Sequence, residues 1–342
     1  MGMDVIVIGA GYAGLLAANR MARRARVLLV DRRDRAVDRI RLHQLVAGTR
    51  DVDRVAQPIR RRLHRRAELV TGEVVDVAPG RVRLADDREL STKHVLVACG
   101  RGVAKPRALD SLEGALALRD ELARLRSGSV EIIGAGLTGI ETAAEIAAAR
   151  PELHVRLIHH ATPGDSFAPK AQDHLLARLD GLGVELSRTP SGADLSIDAT
   201  GPESEPLATA VDQHLRVLDG DGTPIPGLWA AGDAARIAGR DWLRTGCASA
   251  MPMGAAAADA ILATLAGREV KPLDFGYDKR VVSLGRGDGI YEFLRPDGAT
   301  SGRALTGRAG GLGKEFISRA AWVVPARFSR AYGPIAWGKG PR

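Results

Sequence analysis

The stretches VIVIGAGYAG (Val5 to Gly14) and VEIIGAGLTG (Val130 to Gly139) are one short phrase written twice in the chain. Each is a run of β-formers that ends in Gly-x-Gly-x-x-Gly and opens into an Ala-rich helical pattern. The spacing makes distinct physical demands. The first glycine, Gly9 or Gly134, allows the tight turn out of the strand. The second, Gly11 or Gly136, lets a pyrophosphate approach the backbone, and the third, Gly14 or Gly139, lets helix and strand pack closely. The helix N-terminus then offers unpaired N–H groups and a partial positive charge to phosphate. A chain that meets these demands twice is expected to be α/β, with two Rossmann-like dinucleotide-binding domains.

The two copies differ in the strand that comes after the helix. After the first helical pattern, RVLLVD ends at Asp31, whose carboxylate suits a ribose 2′-OH. After the second, HVRLIHH sets His159 at the position matching Asp31. A histidine there tolerates or favours a 2′-phosphate, or simply caps the strand beside His160.

The chain of 342 residues exceeds one ordinary domain, and two or three are expected. Residues 36–66 read helical and basic. AELVTGEVVDVAPGRVRLADDREL reads as antiparallel strands turning at Pro79-Gly80, and HVLVACG (His94 to Gly100) as a buried strand. Helical patterns are expected near 110–126, 168–181 and 252–266. ADLSIDATG ends at Gly201, and IPGLWAAGDAA runs a strand into Gly232-Asp233. From FGYDKR onward the pattern reads as strands and one helix.

Composition narrows the classes. No apolar stretch reaches the about 18–20 residues that span a bilayer. The N-terminal apolar run lacks the basic flank of a signal peptide, so it is expected to be a strand. Cys99 and Cys247 form no metal or C-x-x-C pattern, which suits a reducing cytosol, and no metal site is expected. The net charge of +8 is Arg-driven, notably in RRRLHRR (Arg60 to Arg66). That run reads as a solvated helix face, or as a patch for nucleic acid or an anionic membrane. Aromatic content of 4% argues against a nucleic-acid platform.

The order of parts resembles the two-dinucleotide-binding-domain flavoproteins, the pyridine nucleotide-dependent FAD oxidoreductases. The resemblance rests on Gly9–Gly14 with Asp31, on VLVACG, on Gly134–Glu141 and on GLWAAGDAA, and spans roughly residues 1–270. It is nearest in look to type II NADH dehydrogenases and apoptosis-inducing-factor-like oxidoreductases, through GLTGIETAAE, DRIRLHQ (Asp38 to Gln44) and ASAMPMGAAAAD (Ala248 to Asp259). The resemblance implies an FAD domain of residues 1–108 and 215–272, an inserted NAD(P)H domain of 109–214, and a small α+β C-terminal segment of 273–342. It implies FAD contacts at Gly9, Gly11, Tyr12, Ala13, Gly14, Asp31, Arg32, Arg41, Gln44, Val74, Ala98, Cys99, Gly100, Gly232, Asp233, Met253 and Gly254. For NADH or NADPH it implies Gly134, Gly136, Leu137, Thr138, Gly139, His159 and Gly201.

Glu141 and His43 are the candidate catalytic residues. Glu141 falls where these relatives place a glutamate near the nicotinamide, and it also suits helix capping. His43 suits a proton relay near the flavin, or mere positioning. Disulfide reductases of the superfamily carry a redox Cys pair where this chain has RLHQ, so thiol chemistry is not expected. Cys99 is expected to be packed in a strand and inert. Cys247 reads as a small buried filler or a reactive thiol.

The resemblance implies hydride transfer from NAD(P)H to FAD and then to an acceptor, with a quinone leading. Alternatives are a small aromatic or polyketide-like metabolite, an electron-carrier protein docked on the Arg-rich surface, and a flavin-bound sensing module. The Lys314–Gly333 stretch, apolar and basic by turns, is a helix packed on the flavin domain or on a second copy in a homodimer; or it lies at a membrane, where Pro325 is expected to break it. The protein is expected in the cytoplasm, or peripheral to the inner face of the membrane.

Overall fold

A computed structural model describes residues 2–100, 109–201, 209–333 and 336–341. The domain border expected at residue 108, and residues 202–208 of the expected insert, lie outside the described residues. The first glycine phrase begins in the strand Met3–Ile8, in which Val5, Ile6 and Val7 are wholly buried. Burial on both faces is what a central parallel strand requires. It pairs in parallel with Val27–Asp31 on one side and with Glu89–Val97 on the other. Glu68–Thr71 extends the sheet beyond Val27–Asp31, and Pro224–Ala230 extends it beyond Glu89–Val97, both in parallel. The chain thus leaves this sheet after Val97 and rejoins it much later. The first cradle opens between Val27–Asp31 and Glu89–Val97, where the order of strands reverses and α/β folds bind ligands.

The second phrase begins in Gly128–Ile133, part of a separate parallel sheet ordered Glu185–Ser187, Leu153–Ile158, Gly128–Ile133, Leu195–Asp198. The strand Thr209–Val211 hydrogen-bonds in the first sheet, so the chain is already back there a few residues ahead of 215. The C-terminal part is an antiparallel sheet of Lys279–Ser283, Gly289–Leu294 and Thr300–Thr306, and then the long helix Gly307–Arg327.

Several local expectations change. Residues 36–66 form short pieces, among them Leu42–Val46, Val52–Val55, the strand Ala56–Pro58 and the single turn Ile59–Arg62. Gly48, with φ of +72°, and Pro58 interrupt what Arg and Leu content alone reads as one helix. Glu68–Thr71 runs parallel in the main sheet, while Val74–Ala78, Arg81–Leu84 and Glu89–Val97 form the expected antiparallel turns. Arg62 departs from a solvated face: its guanidinium lies 3.4 Å from the centre of the Trp322 ring, and it is 6% exposed. Burial lowers it to about 10.

The Ala-rich helix starts at Cys247, not near Pro252, and runs to Leu265. These 19 residues are long and apolar enough to cross a membrane, but most are buried inside the protein. Gly254 explains the packing: a Cβ there would stand 2.5 Å from the Ala13 carbonyl oxygen of the first helix, Tyr12–Met21. Pro325 does not break the last helix. It sits buried in the final turn, where only one backbone bond is forfeited.

Candidate nucleotide cradles and the buried cluster that joins them

The two glycine turns repeat each other closely. Gly9 has φ of +101° and Gly134 of +104°, a region that L side chains avoid. A Cβ on Gly14 would stand 1.9 Å from the Gly9 carbonyl oxygen, and one on Gly139 would stand 1.8 Å from that of Gly134. A Cβ on Gly11 or on Gly136 would meet no atom within 4 Å. Space is therefore left at the helix mouth, as a pyrophosphate needs, while the space at the third glycine is filled by the turn itself. Both helices begin there without a side-chain cap, so their first N–H groups are free for phosphate. The residues present fit a dinucleotide in each cradle.

The repeat extends further. Gly9 packs against the Ala98–Cys99 backbone, and Gly134 against Ala199–Thr200. Gly100 and Gly201 come next, with φ of +80° and +92°. Cys99 thus lies beyond its strand, which ends at Val97, and the residue is exposed rather than packed.

Side chains distinguish the cradles. In the first, Asp31 Oδ2 accepts from the Ala10 N–H at 2.7 Å, and Oδ1 accepts from the Arg33 N–H at 2.9 Å. Arg32 is exposed beside it, and Val74 opens the next hairpin after Gly72, whose N–H donates to Asp31 O. Tyr12 donates to Asp38 Oδ1 at 2.6 Å. In the second, His159 comes just after the strand with Nδ1 buried and unpartnered, while Leu137 and Thr138 at the rim are exposed.

Asp233 Oδ1 accepts from the Gly246 N–H at 2.8 Å, tying the Gly232–Ala234 turn to the start of the helix Cys247–Leu265. Because that helix begins at Cys247, Met253 and Gly254 lie in its second turn. Met253 is 2% exposed in the core, and Gly254 abuts Ala13. Burial pushes the Cys247 thiol up to about 11, which keeps it protonated and supports the filler reading.

A buried polar cluster connects the cradles. Glu141, in the second cradle's helix Leu137–Ala149, receives Lys314 Nζ at 2.9 Å and the Ser283 N–H at 2.9 Å. His43 Nδ1 stands 3.9 Å from its other oxygen, and His43 Nε2 stands 3.5 Å from Ser283 Oγ. Burial raises the Glu141 carboxyl, but Lys314 and the Ser283 N–H outweigh it and hold it below the usual range. Burial pushes His43 below its usual range, against the pull of Glu141. The resting cluster is an ionised glutamate, a cationic lysine and a neutral imidazole.

From Lys314 the path turns to the first cradle. Its neighbour Glu315 grips Arg41 with two bonds of 2.8 Å. Gln44 Oε1 accepts from Arg41 and Arg50. Arg41 Nε lies 3.5 Å from Asp38 Oδ2, and Asp38 holds Tyr12. Burial raises the Asp38 carboxyl more than Tyr12 and Arg41 lower it. Sequence reasoning singled out Glu141, His43, Arg41, Gln44 and Tyr12, which these contacts bring together. It missed Asp38, Ser283, Lys314 and Glu315. Asp38 opens the DRIRLHQ segment; the others read as ordinary charged or polar surface positions.

Comparison with known proteins agrees with this geometry. Residues 3–193, more than half the chain, match the family model of pyridine nucleotide-disulphide oxidoreductases, and residues 209–251 match that of an FAD binding domain. The chain is 27% identical over 368 aligned positions to an NADH dehydrogenase-like protein of Mycobacterium tuberculosis, covering 84% of this chain and 87% of that one. Its fold is similar to the sulfide:quinone oxidoreductase of Aquifex aeolicus, with a TM-score of 0.76 and 12% identity over 97% of this chain and 93% of that one. NDH2 of Plasmodium falciparum, solved with NADH, gives a TM-score of 0.76 and 13% identity over 97% and 99%.

Proposed function

Because the chain belongs to the pyridine nucleotide-disulphide oxidoreductase family, we propose that this FAD-dependent NAD(P)H oxidoreductase passes its electrons to a quinone-like acceptor. The first cradle, with Gly11 at its mouth and Asp31 beside it, would hold FAD. The second, at Gly136, would hold NADH or NADPH. Bound FAD supplies the hydride acceptor and the two-electron store. The protein's part is orientation, exclusion of water and electrostatics. Glu141 is kept charged by Lys314, and His43, being neutral, can take a proton without first losing one. Thiol chemistry has no support, since the chain's two cysteines are free and lie in different surroundings.

The observation that carries the acceptor is the last helix. Its Ser318, Ala321 and Pro325 are buried, yet Leu312 is 74% and Phe316 71% exposed. These apolar side chains flank Lys314 and Glu315, which reach into the buried cluster. An apolar acceptor at a membrane surface would meet such a face, with Arg308, Arg319 and Arg327 for anionic headgroups. The name of the sulfide:quinone oxidoreductase, whose fold is similar, points the same way.

The first experiment is an anaerobic titration of the yellow protein with NADH and with NADPH, and then reoxidation with quinones. Rapid bleaching by one nucleotide and reoxidation by a quinone are expected. Leu312→Ser with Phe316→Ser should raise KM for a long-tailed quinone and leave a hydrophilic acceptor unaffected. Equal effects on both acceptors would remove the quinone reading. A fast reoxidation by a carrier protein alone, or slow turnover with every acceptor, would replace it with those alternatives.

A further inference from the structure

Away from the cradles lies a pocket that the proposed function does not use. It has a volume of about 160 Å³ and is lined by Arg23, His64, Arg65 and Arg66. That is well above the roughly 10–15 Å³ a single water needs. Arg23 lies just past the C-terminal end of the helix Tyr12–Met21, whose N-terminal end forms the first cradle. About 15 Å of helix separates the two, so the pocket is not part of the cradle.

The lining is one-sided. The charged groups acting on His64 are Arg23, Arg66, Arg65 and Arg330, and all four disfavour its protonation. Among the described residues, none of the four arginines forms an ion pair with a carboxylate. Some of the chain's other exposed arginines do find acids, as Arg81 does with Asp76. Four guanidinium groups around one imidazole, with no acid, leave mutual repulsion unrelieved.

The imidazole itself carries a conflict. Arg23 Nε donates toward His64 Nε2 at 3.2 Å, and the Arg66 backbone N–H donates toward Nδ1 at 3.2 Å. A neutral imidazole has one acceptor nitrogen and one N–H, so it satisfies only one of these donors. An oxyanion in the pocket removes the conflict. It takes the Arg23 guanidinium as a partner and leaves the imidazole free to donate its N–H to the anion. Guanidinium groups suit a tetrahedral oxyanion, which accepts paired, charge-assisted bonds.

We propose that the Arg23–His64–Arg65–Arg66 pocket is a binding site for a phosphate group, separate from both dinucleotide cradles. Phosphate is favoured over a single carboxylate because several guanidinium groups converge and a dianion neutralises more of them. The group is borne either by a soluble phosphate ester or by an anionic lipid headgroup; the site stands or falls independently of the electron acceptor.

The test uses the FAD-loaded, full-length protein with ¹³C-labelled histidines, His64 being identified by His64→Gln. Inorganic phosphate is added at constant ionic strength made up with chloride. A saturable shift of His64, with its titration midpoint moving upward, is expected. In Arg65→Gln/Arg66→Gln the affinity should fall at least about ten-fold while flavin reduction by the nicotinamide nucleotide is unchanged. Vesicles of phosphatidylcholine with and without phosphatidic acid identify the source. Co-sedimentation that phosphate competes away, and that the double variant loses, assigns a lipid headgroup. Phosphate binding without co-sedimentation assigns a soluble ester. A response that never saturates, or that chloride reproduces, means screening only and overturns the site. So does silence toward both probes, and if the double variant then slows reaction with an acidic carrier protein, the surface is a protein dock instead.

Discussion

In the first cradle Asp31 reaches back to the Ala10 N–H at 2.7 Å, and Tyr12 turns its hydroxyl into the buried Asp38. In the second, His159 stands where the aspartate would, and Leu137, the counterpart of Tyr12, is 39% exposed. The backbone turns are nearly the same, so the difference lies in what surrounds them. The first is braced by its own side chains and by the helix Cys247–Leu265, which packs on it at Ala13. The second keeps its rim open. A pre-organised, braced cradle suits a cofactor that stays, and one with fewer such contacts suits a nucleotide that comes and goes.

The sharpest way to break this comparison is to fill each mouth. A Cβ at Gly11 or Gly136 meets no protein atom within 4 Å, so folding should survive a valine there and only the ligand is displaced. Gly11→Val should purify colourless, with FAD affinity down by at least about a hundred-fold. Gly136→Val should stay yellow and fail to bleach with NADH or NADPH. Absorbance per protein and an anaerobic titration read both. Loss of flavin from Gly136→Val would end the division of labour.

Next in size is Lys314→Met, which leaves Glu141 buried without its cation. Breaking a buried pair costs about 3–5 kcal/mol, less whatever is recovered when the carboxyl takes up a proton. The pH dependence changes sign. In the native protein Glu141 lies below its usual range, so its contribution is present above about pH 4.3 and is lost as pH falls through the folded-state value. In the variant, burial is the larger influence and raises Glu141, so stability is lost as pH rises instead. Melting temperatures between about pH 4 and pH 8 test this, and parallel curves for the two proteins would contradict it.

A smaller effect is expected at the cradle rim. His159→Asp restores the carboxylate of the first cradle and should shift preference from NADPH toward NADH by about ten-fold, the worth of one charged hydrogen bond. Ratios of kcat/KM for the two nucleotides decide it; an unchanged ratio would return His159 to a strand-capping role. Smallest of all is Cys247→Ala, at roughly 1 kcal/mol of lost packing. With a thiol near 11, Cys247 should resist alkylation at about pH 8 in the native protein. Rapid labelling would mean that this side of the first cradle is open.

The same contrast explains what could be read from the residues. Both turns, the Asp31 position and the strands leading to Gly100 and Gly201 were legible, because Gly-x-Gly-x-x-Gly and the apolar strands beside it are local instructions that each element carries by itself. The link between the cradles was not. Lys314 and Glu315 sit among apolar residues on an amphipathic helix, where charges normally face water. Only the fold brings Lys314 to Glu141 and Glu315 to Arg41. Arg62 was misjudged for a related reason: an arginine run looks solvated until Trp322, far along the chain, lies under one member. The start of the helix at Cys247 was hidden by Pro252, which marks a first turn in most sequences and here is tolerated inside one.

Adjacent residues of the last helix, Lys314 and Glu315, each bind a different part of the protein, and this has a consequence for biosynthesis. Both glycine turns leave the ribosome long before residue 314 does. Until then Glu141 lacks Lys314 and Arg41 lacks Glu315, and the charged contacts that run through the last helix are unmade. The helix Gly307–Arg327 therefore supplies the last of the links between the cradles to be made, and a chain cut short before residue 314 leaves Glu141 without Lys314 and Arg41 without Glu315.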